Sequence, residues 1–258
     1  MRRLILEEPY SQLAIWSRRL AVFAWATSAF GLGLAHTHKV EMEAALSVFS
    51  AGLLLACFAL LLAGAALTVI WQEARRGLGE AISASLIALL LLGFPAYLAL
   101  IAFQLPMLND VTTDLNDPPA FSRSASAMAQ RSMEIPQDKP QTLRDEQRGA
   151  YLDIQPILLD LEIEDAWKLV KQTTLALGWR QIDQTPPGGR TGIAHLDVVS
   201  QTLLLALPQD MTIRLKPLVG QTRVDVRSAS RYGRHDFGSN ADQIRRFASE
   251  LQNQLDAR

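Results

Sequence analysis

The chain has 258 residues, 25 Lys and Arg against 26 Asp and Glu, and a single Cys. One Cys excludes a disulfide scaffold and a cysteine-based zinc site, and the lack of a basic excess argues against strong nucleic-acid binding, which draws on cations that displace counterions from phosphates. Residues 20–104 carry seven charged side chains while residues 105–258 carry 38, so the two parts are built for different solvents.

The first apolar run, 20–35, has 16 residues. That is slightly short for a hydrocarbon core of about 30 Å, and it borrows length from Trp16 and the snorkelling stems of Arg18 and Arg19. The runs 44–71 and 81–104 are uncharged for 28 and 24 residues, more than a spanning helix needs. Backbone in lipid must bond to itself, so three transmembrane helices are predicted over 1–104, the third kinked at Pro95. The approach Leu32-Gly33-Leu34-Ala35 also fits a signal-peptide cleavage site, but the 19-residue leader before the run is long, and an uncleaved anchor is expected.

Arg2, Arg3, Arg18 and Arg19 before the first span and Arg75 and Arg76 in the second loop stand against Lys39 and Arg123. This bias predicts a multi-pass bacterial inner-membrane protein with its N-terminus cytoplasmic and its polar C-terminal part periplasmic. No Asp, Glu, Lys, Arg or His lies within the runs, which argues against a transporter or channel. Gly52 with Ala56, and Ala59 with Ala63, recur at the spacing that lets helices approach closely, or are simply the small residues of an Ala-rich helix. Cys57 among them reads as a small hydrophobe. His36, His38, Glu41 and Glu43 lie close in sequence in the first loop, but no further ligand cluster completes a metal site, and no metal or cofactor is expected.

Residues 105–121, with Pro106, Pro118, Pro119 and the Asx residues Asn109, Asp110, Asp114 and Asn116, predict an extended, turn-punctuated segment, and 122–150 a mobile or wrapping loop. A globular α+β domain is expected from Tyr151 to the C-terminus. Its predicted elements are a helix over 164–177 closed by Gly178, strands over 179–185, 191–202, 211–217 and 222–230, and a helix with Ser239 as N-cap and Asp242 in a capping box. Short connections make the strands an antiparallel meander with helices packed on one face.

Asn109-Asp110-Val111-Thr112-Thr113-Asp114, Asp117-Pro118-Pro119-Ala120-Phe121, the run from Arg223 through Arg231-Tyr232-Gly233, and Asp236-Phe237-Gly238-Ser239-Asn240-Ala241 carry a family likeness. Over about residues 105–252, Trp179 and Ile213-Arg214 included, the chain resembles the bacterial domain-of-unknown-function family 1499. Gln209-Asp210 departs from the paired Asp expected there. The resemblance implies a domain identity without an activity.

Strand alternation puts Val224, Val226, Ser228 and Ser230 on one face and Arg223, Asp225, Arg227, Ala229 and Arg231 on the other. The charged set reads either as a ladder on a solvated face or as a fork, Arg227 with Arg231, for a carboxylate or phosphate beside the last helix N-terminus near Asn240. Asp236 is expected to support the turn into that helix or to pair with Arg231. Asp110, Thr112 and Asp114 read mainly as a backbone-bonded Asx loop. His235 lacks a nucleophile context, and Pro186-Pro187-Gly188-Gly189 lacks a P-loop lysine. The leading expectation is a membrane-anchored module, in contact with the lipid bilayer, that binds a partner protein, an envelope component or a small anionic ligand. The rival is a hydrolase-like or metal-dependent enzyme using residues 110–117 with Asp236 and Arg231.

Overall fold

Three long helices fill the apolar region: α1 (Gln12–Thr37), α2 (Met42–Glu73) and α3 (Leu78–Gln104), each long and apolar enough to cross a membrane. The computed structural model describes residues 9–37, 39–131, 135, 139–189, 191–202 and 204–257. Arg2, Arg3 and His38, used in the sequence reading, lie outside the described residues. The chain divides into two compact units, residues 1–100 and 101–258.

In the first unit the seam is made of small residues. Ala14, Ser17, Ala21, Ala24, Ser28, Gly31 and Ala35 are the buried positions of α1, alternating three and four apart. Ala45, Gly52, Ala56, Ala59, Ala63 and Ala66 answer them on α2, and Ala81, Ala84 and Ala88 on α3. A Cβ added at Gly52 would lie 2.8 Å from the Ser28 nitrogen and 2.9 Å from the Ala24 carbonyl oxygen. The backbones of α1 and α2 therefore touch, and the small residues of α2 are a packing seam rather than bulk composition. Trp25 Nε1 donates to the Ile87 carbonyl at 2.9 Å, tying α1 to α3. Helix α3 contains Pro95 and runs on to Gln104. Cys57 is exposed on α2.

The second unit is an antiparallel sheet with helices, as the sequence predicts, with six strands where four are expected. Its strands are β1 (Asp110–Thr112), β2 (Ile157–Leu159), β3 (Arg180–Thr185), β4 (Ala194–Gln201), β5 (Pro208–Leu218) and β6 (Gln221–Ser230). The order is β1-β6-β5-β4-β3, with β2 also pairing β6. The meander β3 to β6 is the expected one. Leu218 pairs with Gln221, so a two-residue turn, Val219-Gly220, closes the last hairpin, with Gly220 at φ 71°, a left-handed conformation glycine adopts without strain. Helices α6 (Ile163–Ala176) and α7 (Ser239–Asp256) cover the face bearing Leu196, Val198, Met211, Ile213, Leu215, Val224 and Val226. Phe247 of α7 stacks on Trp179 with ring centroids 6.0 Å apart.

Three expectations are corrected. The stretch 122–150 holds two helices, α4 (Ala125–Arg131) and α5 (Gln141–Ala150). Polar α5 is held by tertiary bonds that its sequence does not announce, Gln147 Nε2 donating to the Thr112 carbonyl and Gln147 Oε1 accepting from the Thr112 N–H. Second, α7 has no Ser239 capping box: its N-cap is Gly238, at φ 82° and without a side-chain cap. The Asp236 carboxylate accepts instead from the Gly238 and Asn240 N–H groups at 3.0 and 2.9 Å, while Ser239 Oγ accepts from Gln209. Third, the charged face of the sheet is not solvated.

Candidate functional site: the covered charged face and its cleft

Strand register explains how so many charges come together. The β5–β6 pairing sets Thr212 opposite Arg227, Arg214 opposite Asp225 and Lys216 opposite Arg223. The β4–β5 pairing sets Asp197 opposite Thr212. All point away from α6 and α7, and residues 113–131 lie across them. Asp225 is 0% exposed, Arg227 4% and Arg214 6%. Charges this deep persist only when paired and hydrogen-bonded.

Each cation of the layer has a carboxylate partner, while Arg131 Nε and Asp197 Oδ1 are buried without a hydrogen bond among the described residues. Arg227 holds Asp110 with Nε at 3.1 Å and Nη2 at 2.8 Å. Its Nη1 donates to the Pro119 carbonyl and its guanidinium lies over Phe121. Asp225 accepts from Arg214 on one oxygen and from Arg223 on the other. Arg223 also reaches Asp114 at 2.6 Å, and Arg214 and Lys216 share Asp117 at 3.1 and 2.7 Å. Arg131 of α4 bonds Asp197 and lies 3.6 Å from Asp210. Arg231 grips Asp210 with Nε at 2.9 Å and Nη2 at 2.8 Å. Six cations (Arg131, Arg214, Lys216, Arg223, Arg227, Arg231) thus face six carboxylates (Asp110, Asp114, Asp117, Asp197, Asp210, Asp225). Hydrogen bonds from Lys216 hold the Asp117 carboxyl below the usual range. Ser122 and Ser124 hydroxyls do the same for Asp183.

The candidate residues are therefore distributed. Arg227, Asp110 and Thr112 line a cavity of about 10 Å³ with Lys139 and Arg144, room for about one water and not for a substrate. Burial there pushes the Lys139 ammonium below its ordinary range. Arg231 pairs with Asp210 and not with Asp236, because the hairpin register brings Asp210 opposite Ala229, the diagonal neighbour of Arg231 on the same face. Asp236 caps the backbone, and its burial raises the carboxyl pKa. Asn240, 0% exposed, sits on the other face, accepting from Gln209 and Ser228 and donating to Ser230. At position 209 a neutral amide serves this network by donating to Ser239 and Asn240. Asp114 Oδ1 accepts from the Asn116 and Asp117 N–H groups, the Asx turn that was expected. Among the described residues no three His, Cys, Asp or Glu side chains come together as metal ligands. Sequence reading missed Arg131, Asp197, Ser122 and Gln147, whose partners lie 35 to 75 residues away.

Beside this ionic layer a cleft of about 360 Å³ opens between 113–116 and 148–156. Asp114, Arg148 and Arg223 supply its charges, and Leu115, Leu152, Ile154 and Pro156 its apolar wall. Arg223 spends Nε on Asp225 and Nη2 on Asp114, leaving Nη1 without a partner among the described residues. Leu152 is 73% exposed. Tyr151 closes one end, its phenol pushed up to about 12, mainly by burial.

A family model described as "Protein of unknown function (DUF1499)" matches residues 110–251. That is more than half of the chain, and the chain belongs to this family. No curated protein and no solved structure matches it.

Proposed function

We propose that this DUF1499 protein is an inner-membrane-anchored binding module whose periplasmic domain takes a small anionic envelope molecule with an apolar part in the cleft between 113–116 and 148–156. The observation that carries the reading is the placing of Arg223 and Arg148 beside an apolar wall that includes exposed Leu152, in a cleft of the second unit large enough for such a ligand. The ionic layer is charge-matched within the domain, so its role is to hold that wall and position Arg223. The enzymatic alternative draws less support: Asp110, Asp114 and Asp236 have different partners and do not converge on a common substrate-sized space.

The test uses the full chain with Cys57→Ser and Gln155→Cys carrying an environment-sensitive dye at the cleft rim. Octanoate should shift the emission saturably, and uncharged octanamide should bind about tenfold more weakly, the worth of one charge-assisted hydrogen bond. Arg223→Gln should erase the difference. Equal affinity of the two probes in the unsubstituted cleft would rule the assignment out.

The orientation rests on the basic flanks of the first and third helices. A periplasm-active phosphatase fused after residue 257 should be active, and a fluorescent protein that folds only in the cytoplasm should be dark there. The reverse pattern would place the domain in the cytoplasm.

A further inference from the structure

We propose that the pocket between the starts of α1 and α3 is a binding site for the headgroup of an anionic phospholipid. The pocket measures about 540 Å³ and is lined by Tyr10, Ile15, Arg18, Arg19, Val22 and Glu80. Ile15, Arg18, Arg19 and Val22 are spaced three and four apart and share one face of α1.

Depth is the first argument. Arg18 and Arg19 stand immediately before the apolar run that opens at Leu20, and Glu80 immediately before the one that opens at Ala81. Both helices thus bring their last ionisable groups to the level where the hydrocarbon ends, which is where a lipid phosphodiester lies. Charge is the second. Glu80 is coupled to the Tyr10 hydroxyl, and neither Arg18 nor Arg19 forms a salt bridge among the described residues. Arg19 spends the face of its guanidinium on Trp16, 5.4 Å from the ring centroid, and keeps its N–H edge for an acceptor. Among the described residues of the pocket, two arginines against one carboxylate leave one positive charge in excess.

The pocket is also built. Ser11 N–H donates to the Arg76 carbonyl at 2.9 Å and Arg76 N–H to the Pro9 carbonyl at 3.2 Å, which fixes Tyr10 as a wall. Val22, 53% exposed within the apolar run, continues the pocket toward the acyl region, and this selects a lipid over a free anion. The inference needs only that the three helices span a bilayer, in either orientation, and is independent of the cleft in the second unit.

Native mass spectrometry of the full chain, released from micelles containing phosphatidylglycerol or phosphatidylcholine, tests it. The unsubstituted protein should retain phosphatidylglycerol preferentially. Arg18→Gln with Arg19→Gln should cut that preference about 30-fold, the effect of two cations at an anionic surface. Arg75→Gln, at the same end of the bundle and paired with Glu73, should leave it intact. Val22→Trp, which keeps both arginines and fills the groove, should also lose the lipid while helicity is unchanged, and so reports even if the arginine variant does not fold. Equal retention of the two lipids, an equal loss in the Arg75 variant, retention by Val22→Trp, or full displacement by glycerol phosphate would each overturn the site, the last in favour of a soluble anion.

Discussion

Arg227→Ala is expected to destabilise the second unit by about 3–5 kcal/mol, the cost of leaving one member of a buried ion pair without its partner. Arg227 and Asp110 side chains are 4% and 5% exposed, so water cannot take over from the lost guanidinium. The same side chain fastens three points of the covering segment, Asp110 in β1, the Pro119 carbonyl and the Phe121 ring. Its loss therefore loosens residues 117–121 over the sheet, β1 keeping its ladder to β6, as well as stranding a carboxylate. Asp110→Ala in addition to Arg227→Ala should recover part of the loss, because the stranded charge is gone while the Pro119 and Phe121 contacts remain broken. Urea titration of the full chain in micelles, read by pulse proteolysis of the second unit, measures both variants. A loss below about 1 kcal/mol for Arg227→Ala would class the pair with exposed salt bridges and show that the β1–β6 ladder, the Asp114 and Asp117 pairs and the packing of Leu108 and Val111 hold the segment without it.

What the sequence made legible follows from the range of the interactions involved. The three spans, the four-strand meander and both flanking helices were readable because hydropathy runs, alternation and turn residues are local signals. The Asx turn at Asp114 was readable for the same reason, its bonds spanning two and three residues. The partners of the charged face were not. Arg231 has Asp236 five residues on, but its carboxylate is Asp210, 21 residues away across a hairpin. That hairpin offered a usable signal: with Val219-Gly220 taken as a two-residue turn, register alone places Arg214 opposite Asp225 and Lys216 opposite Arg223. Nothing local announces Arg131, whose carboxylate lies 66 residues away on β4, or the lid that makes the ladder a buried layer. The seam of α1 hid for another reason. Ser28 and Gly31 lower the hydropathy of the first run, and Arg18 and Arg19 cut it off from Ser17, while Ser28 and Gly31 give α2 room to approach.

Asp225→Ala should be as costly as the loss of Arg227, about 3–5 kcal/mol, since Asp225 is completely buried and its two oxygens serve two arginines. The more discriminating variant replaces charge with apolar volume, Arg214→Met with Asp225→Leu. Buried ion pairs exchanged for hydrophobic residues of similar size commonly leave stability unchanged or raise it by about 1–4 kcal/mol, because the desolvation cost disappears with the attraction. Asp117 then keeps Lys216 at 2.7 Å, and Asp114 keeps Arg223, so no charge is stranded. The double variant is accordingly expected to melt within about 1 kcal/mol of the parent or above it. Its cleft should nevertheless fail. Arg223 is held by Asp225 at Nε and by Asp114 at Nη2, and with one anchor gone its guanidinium no longer keeps a fixed place beside Leu115 and Leu152. The preference for octanoate over octanamide should then fall toward unity while the fold persists. A stable double variant that still discriminates would show that Arg223 needs no support from the ionic layer. An unstable one would show that the layer contributes stability, against the general tendency of buried ion pairs.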